Sequence, residues 1–353
     1  MILEEQKQKL PLLDRLLPAW ILLAMLAGLV LGRAIPSLGA SLDTVKVGGV
    51  SLPIAVGLFW MMYPVLAKVR YGRLASAGRN PKLLATSLFL NWVAGPILMF
   101  SLAWILLPDL PHYRTGLILI GLARCIAMVL LWNLLAKGSS ELAALLVALN
   151  SVFQILCYSL FGWLFITVLP GWMGAEPTAV VHVPMSDIAK SVLLFLGLPL
   201  AAGALTRWSL VRRHGEDWYE KKFAAKVGPT ALLGLLYTIV LMFAMQGDRI
   251  LRLPLDVLRI AIPLVLYFAI MFSVSFLLAR RLGFSYEDTA SLSFTAAGNN
   301  FELAIAVAVG VFGIGSGEAL AGVVGPLIEV PALLGLVYLS LGWRKRLFPE
   351  VTA

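Results

Sequence analysis

The sequence predicts an all-α protein that crosses a membrane many times. Sixty per cent of its 353 residues are apolar, only 13% are charged, and the mean hydropathy is +0.90. A water-soluble chain of this length would need far more charge to cover its surface, whereas lipid accepts apolar side chains. Unbroken apolar runs long enough for a helix to cross the hydrocarbon core recur along the chain. The alternation of apolar and polar residues that is typical of a membrane β-barrel does not recur along the chain.

Charge and cysteine content exclude several other classes of protein. The net charge is +9, but no water-facing domain is predicted that could present a basic stripe to nucleic acid. Cys125 and Cys157 both fall within apolar runs, so a disulfide framework is not expected. The first 15 residues lack the small-residue cleavage site of a signal peptide, and we interpret the first helix as retained.

Apolar runs bounded by charged residues, proline or glycine predict ten membrane-spanning helices. Five are expected in each half of the chain, and the longest connection, near 207–227, is basic and is expected to include an amphipathic stretch. The predicted helices lie near residues 16–35, 51–69, 82–107, 115–136, 142–168, 187–206, 228–245, 257–280, 288–312 and 318–341.

The distribution of lysine and arginine predicts the orientation. With a cytoplasmic N-terminus, the inner segments hold 20 of the 28 basic residues, and the outer loops hold seven. Both termini are then cytoplasmic, and the expected location is the cytoplasmic (inner) membrane. The inner clusters include Lys68, Arg70, Arg73, Arg79 and Lys82 before the third helix, and Arg344, Lys345 and Arg346 after the tenth.

A shift of 177 residues superposes similar segments of the two halves. It places Gly138-Ser139-Ser140-Glu141 on Gly315-Ser316-Gly317-Glu318, Gly57 on Gly234, and Cys125 on Glu302. Five helices per half give the halves opposite topology. We therefore predict two inverted five-helix repeats, residues 1–168 and 187–341, in a single membrane domain. Such transporters bind substrate near the membrane midplane, where broken helices meet.

The fourth and ninth predicted helices carry polar residues midway along apolar spans. The fourth contains Gly121-Leu122-Ala123-Arg124-Cys125, and the ninth contains Gly298-Asn299-Asn300-Phe301-Glu302. Glycine and asparagine weaken a helix, so a local break is expected in each. A break frees backbone groups that only a cavity or ligand can satisfy in a membrane. The new half-helix N-termini would present partial positive charge to a thiolate or carboxylate.

Glu302 and Cys125 are the candidate site residues. Insertion scales give a cost of about 2.5–3.5 kcal/mol for a carboxylate at bilayer depth, so Glu302 is expected to have a specific role. In the functional interpretation it exchanges protons or contacts substrate. In the structural interpretation it pairs with Arg124. Arg124 is interpreted as a support that balances charge. A lone buried cysteine is usually inert, but Cys125 lies beside Arg124 and opposite Glu302 under the repeat. Cys157 is interpreted as a core residue.

Other polar residues within the spans have weaker signals. Glu329 lies between two prolines in a helix that is expected to be distorted. Its carboxyl group is interpreted either as a second proton site or as a partner in a structural hydrogen bond. Asn91 and Asn150 are expected to tie helices together. The three histidines, His112, His182 and His214, fall in predicted loops without metal-ligand spacing, and no GK[ST] phosphate loop occurs. No cofactor and no ATPase subunit are therefore expected.

Two strings within these helices resemble the arsenical-resistance arsenite efflux permeases. They are GLARCIAMVLLWNLLAKG (121–138) and AAGNNFELAIAVAVGVFGIGSGEALAGVVGPLIEVP (296–331). The resemblance extends over the whole chain and places it in the bile/arsenite/riboflavin transporter superfamily. It implies inverted repeats whose unwound fourth and ninth helices cross, and secondary-active efflux of arsenite coupled to proton antiport.

The resemblance also implies roles for particular residues. Cys125 matches the As(III)-binding cysteine of the family, and Glu302 matches its essential ninth-helix glutamate. The complete predicted set has substrate contacts, proton-coupling residues and supporting residues. The substrate contacts are Cys125, Glu302, Asn299 and Asn300; the proton-coupling residues are Glu302 and Glu329; the supporting residues are Arg124 and Asn133. Leu134 replaces a polar residue frequent in the family and leaves selectivity between arsenite and antimonite open.

Two alternatives remain at this level. A sodium-coupled organic-anion carrier of the bile-acid type would use Asn299, Asn300 and Glu302 as a cation site but leave Cys125 idle. A membrane-embedded enzyme would need clustered acids or histidines at one membrane face, and the isolated Glu287-Asp288 pair does not supply such a cluster. The favoured interpretation is not an enzyme. Its partners are arsenite, protons and membrane lipid, without nucleic acid.

Overall fold

The structure, a computed structural model, describes residues 16–35, 37–42, 44–47, 50–69, 80–126, 128–174 and 184–348. The N-terminal segment interpreted as uncleaved lies outside the described residues, as do Arg70, Arg73, Arg79 and His182.

The described residues are helical almost throughout. In the first half the helices are α1 (Leu17–Ala34), α2 (Leu38–Leu42), α3 (Leu52–Lys68), α4 (Pro81–Leu106), α5 (Pro111–Leu122), α6 (Met128–Leu135) and α7 (Ser140–Trp172). In the second half they are α8 (Met185–His214), α9 (216–227), α10 (Thr230–Arg252), α11 (Pro254–Arg281), α12 (Tyr286–Ala297), α13 (Phe301–Phe312) and α14 (Gly317–Leu347). Two two-residue strands, β1 (Lys46–Val47) and β2 (Val50–Ser51), pair antiparallel before α3.

Length and apolarity make this a multi-pass membrane protein, as predicted. Within the described ranges, six helices are long and apolar enough to cross a membrane, and α1, α3 and α13 are shorter apolar helices. Each of the ten predicted helices corresponds to one observed helix, except that the fourth and the ninth each correspond to two. The count of ten crossings and their orientation stay predictions.

The connection predicted near 207–227 is mostly helical instead of being a loop. α8 continues to His214, and α9 follows after Gly215, whose φ of 84° turns the chain. Buried Arg207 pairs with Glu216 at 2.9 Å and Glu220 at 3.0 Å, and these ion pairs link α8 to α9. His112 and His214, predicted in loops, lie in the first turn of α5 and the last turn of α8.

Prolines explain the irregular turns in three of the long helices. Proline has no backbone N–H and clashes with the preceding turn, so a regular helix cannot continue through it unchanged. A π-helical turn widens the helix at that point and keeps the remaining backbone groups paired. Each π turn ends two residues before a proline: Leu90–Ala94 before Pro96, Leu164–Val168 before Pro170, and Leu193–Gly197 before Pro199.

The two predicted broken helices lie at the centre of the bundle. Every residue from Tyr113 to Leu122 in α5 is buried, and so is every residue from Thr289 to Ala297 in α12. The outer helices instead expose large apolar side chains, such as Leu26 and Leu255, on the surface that lipid would cover. The central position of α5 and α12 allows residues at their ends to meet inside the protein.

Helices α3 and α10 pack against each other through equivalent glycines. A Cβ on Gly57 would lie 2.5 Å from Thr238 Oγ1, and one on Gly234 would lie 2.7 Å from the Met61 backbone nitrogen. The shift of 177 residues carries Gly57 onto Gly234 and Met61 onto Thr238. The contact is therefore reciprocal, as expected at a two-fold axis that relates similar halves.

The caps of α7 and α14 follow the same shift. Ser139 Oγ accepts a hydrogen bond from the Leu142 backbone N–H at 3.2 Å, and Ser316 Oγ accepts one from the Ala319 N–H at 3.1 Å. Serine is a favoured N-cap because its oxygen pairs an N–H that the helix leaves free. The Gly-Ser motif repeated in the sequence thus forms the same local structure twice.

The substitution Gly234→Ala tests the glycine contact. We expect it to lower the free energy of unfolding by about 1–3 kcal/mol, because an added methyl group forces α10 away from the α3 backbone. Gly335→Ala on α14 is the matched control. No atom lies within 4 Å of its would-be Cβ, so the better helix propensity of alanine should keep or raise stability. Equal thermal unfolding midpoints for the two detergent-solubilised variants would contradict this packing.

Candidate functional site

The two helix interruptions pair with each other through backbone hydrogen bonds. The Cys125 N–H donates to the Gly298 carbonyl at 3.3 Å, and the Asn300 N–H donates to the Ala123 carbonyl at 3.0 Å. Arg124 and Asn299 form an antiparallel bridge between them. We call this contact, residues 123–125 with 298–300, the crossing. Each interruption supplies the partners that the other needs, which satisfies the backbone without water.

Side chains satisfy further backbone groups at the crossing. Asn299 Nδ2 donates to the carbonyls of Ile120 at 2.9 Å and Ala123 at 3.2 Å, which closes the end of α5. Asn300 Oδ1 accepts from the Leu303 N–H at 3.0 Å and caps the start of α13. Both asparagines, predicted as substrate contacts, therefore use one side-chain atom to hold the interruption. Asn299 Oδ1 and Asn300 Nδ2 are buried without a protein partner.

Cys125 lies just before the start of α6 and is almost fully buried. Its Sγ accepts from the Val129 N–H at 3.3 Å and also faces the Met128 N–H. These N–H groups are unpaired by the helix itself and carry partial positive charge. Gly298 contacts the other side of the cysteine, where a Cβ would lie 3.0 Å from the Cys125 Cβ. The sulfur is thus fixed at a helix N-terminus beside the opposite interruption.

Glu302 is the second residue of α13, and its carboxyl group faces its own backbone N–H. It is partly exposed, whereas Glu329, on α14, is buried and faces the Asn299 backbone N–H. Both carboxyl groups lie near enough to the Cys125 sulfur to act on it electrostatically. The structure therefore brings together the predicted thiol and both predicted proton-coupling carboxyls, from α6, α13 and α14.

Arg124 points away from this group. Successive side chains of extended backbone project to opposite sides. The fully buried guanidinium donates through Nη1 to Tyr267 Oη at 2.9 Å and to the Ala296 carbonyl at 3.3 Å. In the part of the chain that the structure describes, no ion pair joins Arg124 to Glu302. Support from Arg124 therefore acts through the packing of α11 and α12 against the crossing, and its Nε and Nη2 are without a protein partner.

Asn133 lies further along α6, away from the thiol. Its Oδ1 accepts from Ser291 Oγ at 2.7 Å and joins α6 to α12. Leu134, the departure from the family pattern, is exposed on the outside of the helix. Asn91 and Asn150 tie helices together as predicted, since Asn150 donates to Asn91 and accepts from Trp92 Nε1.

Two site residues were not predicted from the sequence. Gln154 on α7 accepts from the Arg124 backbone N–H at 2.9 Å, and Tyr267 on α11 is the side-chain partner of the Arg124 guanidinium. The only available signal was a polar residue inside an apolar run. Several buried polar atoms around the crossing are without a protein partner, and one of them belongs to Gln154. They are Arg124 Nε and Nη2, Gln154 Nε2, Asn299 Oδ1, Asn300 Nδ2 and Glu329 Oε1. Donors and acceptors of this kind suit a small polar ligand.

Similarity to known proteins agrees with this site. The model of the Sodium Bile acid symporter family matches residues 55–253. The arsenical-resistance protein Acr3 of Corynebacterium glutamicum is 52% identical over 342 residues, which cover 97% of this chain and 92% of that protein. The chain belongs to the Acr3 family. Acr3 of Alkaliphilus metalliredigens is 31% identical over 348 residues, which cover 96% of this chain and 94% of that protein. An uncharacterized transporter of Synechocystis is 37% identical over 347 residues, which cover 93% of this chain and 88% of that protein.

Membership of the Acr3 family confirms the resemblance carried by residues 121–138 and 296–331. Those two strings contain the interruptions, the thiol and both carboxyl groups. The symporter-family model ends before the second string, at residue 253, whereas the Acr3 relatives match almost the whole chain. The Acr3 proteins are therefore similar to this chain in both strings of the crossing.

Replacement of Asn300 tests its role as a cap. Asn300→Ala removes the oxygen that accepts from the Leu303 N–H and should cost about 1 kcal/mol of stability. Asn300→Ser keeps a capping oxygen and should stay within about 0.5 kcal/mol of the unsubstituted protein. Ser316→Ala removes the side-chain cap of α14 in the same way, and we expect it to lower stability by as much as Asn300→Ala does. Thermal unfolding in detergent measures all three, and equal midpoints for Asn300→Ala and Asn300→Ser would contradict the cap.

Proposed function

We propose that this protein exports arsenite across the cytoplasmic membrane and thereby confers arsenic resistance. The observation that carries the proposal is the Cys125 thiol, fixed at the crossing beside Glu302 and Glu329 in a chain 52% identical to an arsenical-resistance protein. Soft sulfur ligands prefer thiophilic metalloids, which gives the thiol at the crossing a direct role in the proposed transport. Cys125 is the proposed ligand of As(III).

The chemistry of arsenite fits the groups at the crossing. At neutral pH arsenite is chiefly the uncharged trihydroxide, whose hydroxyl groups both donate and accept hydrogen bonds. In the proposed binding step one As–OH bond and the S–H bond break, an As–S bond forms, and the hydroxide leaves with the thiol proton as water. The unpartnered atoms of Asn299 and Asn300 then pair with the two remaining hydroxyls. A single As–S bond is reversible, which release requires.

Proton coupling is proposed for the two carboxyl groups. Glu302 and Glu329 lie close enough to Cys125 and to each other for their protonation to be shared, so the three groups titrate as a set. Glu302 is proposed to relay the thiol proton to the departing hydroxide as arsenite binds and to return a proton to the sulfur as arsenite leaves. Glu329 is proposed to take up the coupling proton while the site is open to the outer side and to release it while the site is open to the inner side. Export is then an exchange of arsenite against inward-moving protons.

The architecture proposed for this cycle is ten membrane spans in two inverted repeats, residues 1–168 and 187–341, with both termini cytoplasmic. The reciprocal contact of Gly57 and Gly234 and the equivalent caps of α7 and α14 support the repeat. A site between such repeats can open to either side as one repeat rocks against the other. Antimonite, a chemically similar metalloid, is a proposed second substrate.

A sodium-coupled organic-anion carrier is less well supported. The name of the symporter family is its main support, and it gives no role to the buried thiol. Everted membrane vesicles separate the two functions, since arsenite uptake without sodium supports the arsenite exporter and a strict sodium requirement supports the alternative. Collapse of the proton gradient and of the membrane potential in separate vesicles distinguishes antiport from potential-driven export.

Replacement of the two cysteines tests the thiol. We expect Cys125→Ser to reduce arsenite uptake into sodium-free everted vesicles at least 100-fold, because a hydroxyl does not replace a soft ligand. Cys157→Ser is the matched control and should transport within twofold of the unsubstituted protein. Cys157 is partly exposed on α7 and is not one of the residues that form the crossing. Near-normal transport by a correctly inserted Cys125→Ser protein would refute the proposed As–S bond.

Replacement of Glu302 tests proton coupling. Glu302→Gln keeps the size and most hydrogen bonds but cannot carry a proton, so gradient-driven uptake should fall at least tenfold while arsenite binding to the purified protein falls less than threefold. Glu302→Asp should retain part of the uptake. Gradient-driven uptake at the normal rate by the glutamine variant would show that Glu302 is structural.

A further inference from the structure

A second group of ionisable side chains lies at the membrane face where α5 and α14 begin. His112, in the first turn of α5, and Glu318, in the first turn of α14, are 2.8 Å apart from Nδ1 to Oε1. The histidine side chain is 69% exposed, whereas the glutamate side chain is 1% exposed. Glu318 Oε2 is buried without a protein partner. Water thus reaches one member of the pair, and the other member points into the protein.

Close backbone packing holds this pair in place. A Cβ on Gly317 would lie 2.8 Å from the His112 Cβ, and one on Gly116 would lie 2.8 Å from the Glu318 carbonyl oxygen. A cavity of about 260 Å³, lined in part by Asp109, His112 and Gly317, opens beside them. The helices joined here are α5, which ends at the crossing, and α14, which carries Glu329.

The other charged groups described at this face also have partners. Arg259 Nη1 donates to Asp109 at 2.6 Å, and this hydrogen bond lowers the pKa of Asp109, so that carboxyl stays ionised near neutral pH. Tyr113 Oη donates to Asp256 at 2.6 Å. Arg114 stacks on Trp104 and donates to the Pro108 carbonyl. In this part of the described chain, the His112–Glu318 pair differs by combining a water-exposed imidazole with a buried carboxyl.

The position of Glu318 on α14 points toward the crossing. Eleven residues separate Glu318 from Glu329, which is about three turns and about 16 Å along one face of the helix. The residues between them on this face are Gly322 and Gly325, which pack on Ile305 and Phe301 of α13. These two side chains fill the space that the glycines leave on this face.

The His112–Glu318 pair has no equivalent at the positions that the 177-residue shift relates to it. The 177-residue shift carries His112 onto Thr289, and carries Glu141 onto Glu318. Thr289 cannot titrate near neutral pH, and Glu141 is exposed. Among the described residues, this pairing of an exposed imidazole with a buried carboxyl therefore has no counterpart at the positions that the shift relates to it. A group that takes up protons from one side of the membrane is needed at that side only, and it would therefore be present in one repeat and absent from the other.

We propose that His112 and Glu318 are the point where protons from the outer solution enter the transport cycle, on the way to Glu329. This rests on the proposed arsenite/proton exchange. In the transfer the exposed Nε2 of neutral His112 first takes a proton from the outer solution, the Nδ1–H bond then breaks as a Glu318 Oε1–H bond forms, and proton exchange with water returns the imidazole to its starting tautomer. Imidazole suits this step because it titrates between about pH 5 and pH 8. The carboxyl then passes its proton along the α14 face when Ile305 and Phe301 move apart and admit water.

The test compares net transport with exchange in everted vesicles, whose lumen corresponds to the outer solution. Glu318→Gln should lower proton-gradient-driven arsenite uptake at least tenfold but keep exchange of labelled for unlabelled arsenite at equal pH within twofold. Glu318→Asp should restore part of the net uptake. Asp256→Asn, which alters another carboxyl hydrogen-bonded to α5, is the matched control and should change neither rate by more than twofold.

His112→Gln gives an independent measurement, because glutamine can still donate a hydrogen bond to Glu318. We expect its net uptake to depend less on luminal pH than that of the unsubstituted protein, because glutamine cannot carry a proton. Normal net uptake by Glu318→Gln, or equal loss of exchange and net uptake in a variant of unchanged thermal stability, would overturn the proposal. Absence of arsenite exchange in the unsubstituted protein would instead refute the proposed function itself.

Discussion

The fold depends on how the backbone of two broken helices is satisfied away from water. An interruption in an apolar environment frees N–H and C=O groups, each of which costs about 1–3 kcal/mol or more if left unpaired. Here the interruption after α5 and the one after α12 pair with each other, through Cys125 with Gly298 and Asn300 with Ala123. Neither interruption is satisfied alone. The two halves of the chain therefore stabilise each other at the point where both are weakest.

This constraint also decides which side chains are left for chemistry. Asn299, Asn300 and Gln154 each use at least one atom on backbone groups of the crossing. The sulfur of Cys125 and the carboxyl group of Glu302 lie at the two helix starts that the interruptions create. Helix starts attract negative charge, so the same breaks that weaken the helices prepare two places for a thiolate or a carboxylate.

The sequence predicted the helices and the interruptions because both are local properties. Apolar runs define the spans, and Gly121, Gly298 and the adjacent asparagines mark the breaks. Contacts between distant helices could not be predicted in this way. Nothing near Arg124 in the chain indicates that Gln154 accepts its backbone N–H or that its guanidinium reaches Tyr267. The basic segment after α8 was wrongly predicted as mainly a loop because its ion pairs form within the segment itself.

One departure from the internal repeat falls where the proposed chemistry takes place. Reciprocal positions such as Gly57 and Gly234 keep the same residue, because both serve the same helix contact. At the crossing the equivalent positions are Cys125 and Glu302, a soft ligand and a proton acceptor. Two thiols there would hold a thiophilic substrate more tightly, and two carboxyls would offer it no soft ligand. The proposed reversible binding and the proposed proton exchange would therefore share one place, at a single pair of unlike positions in a repeated scaffold.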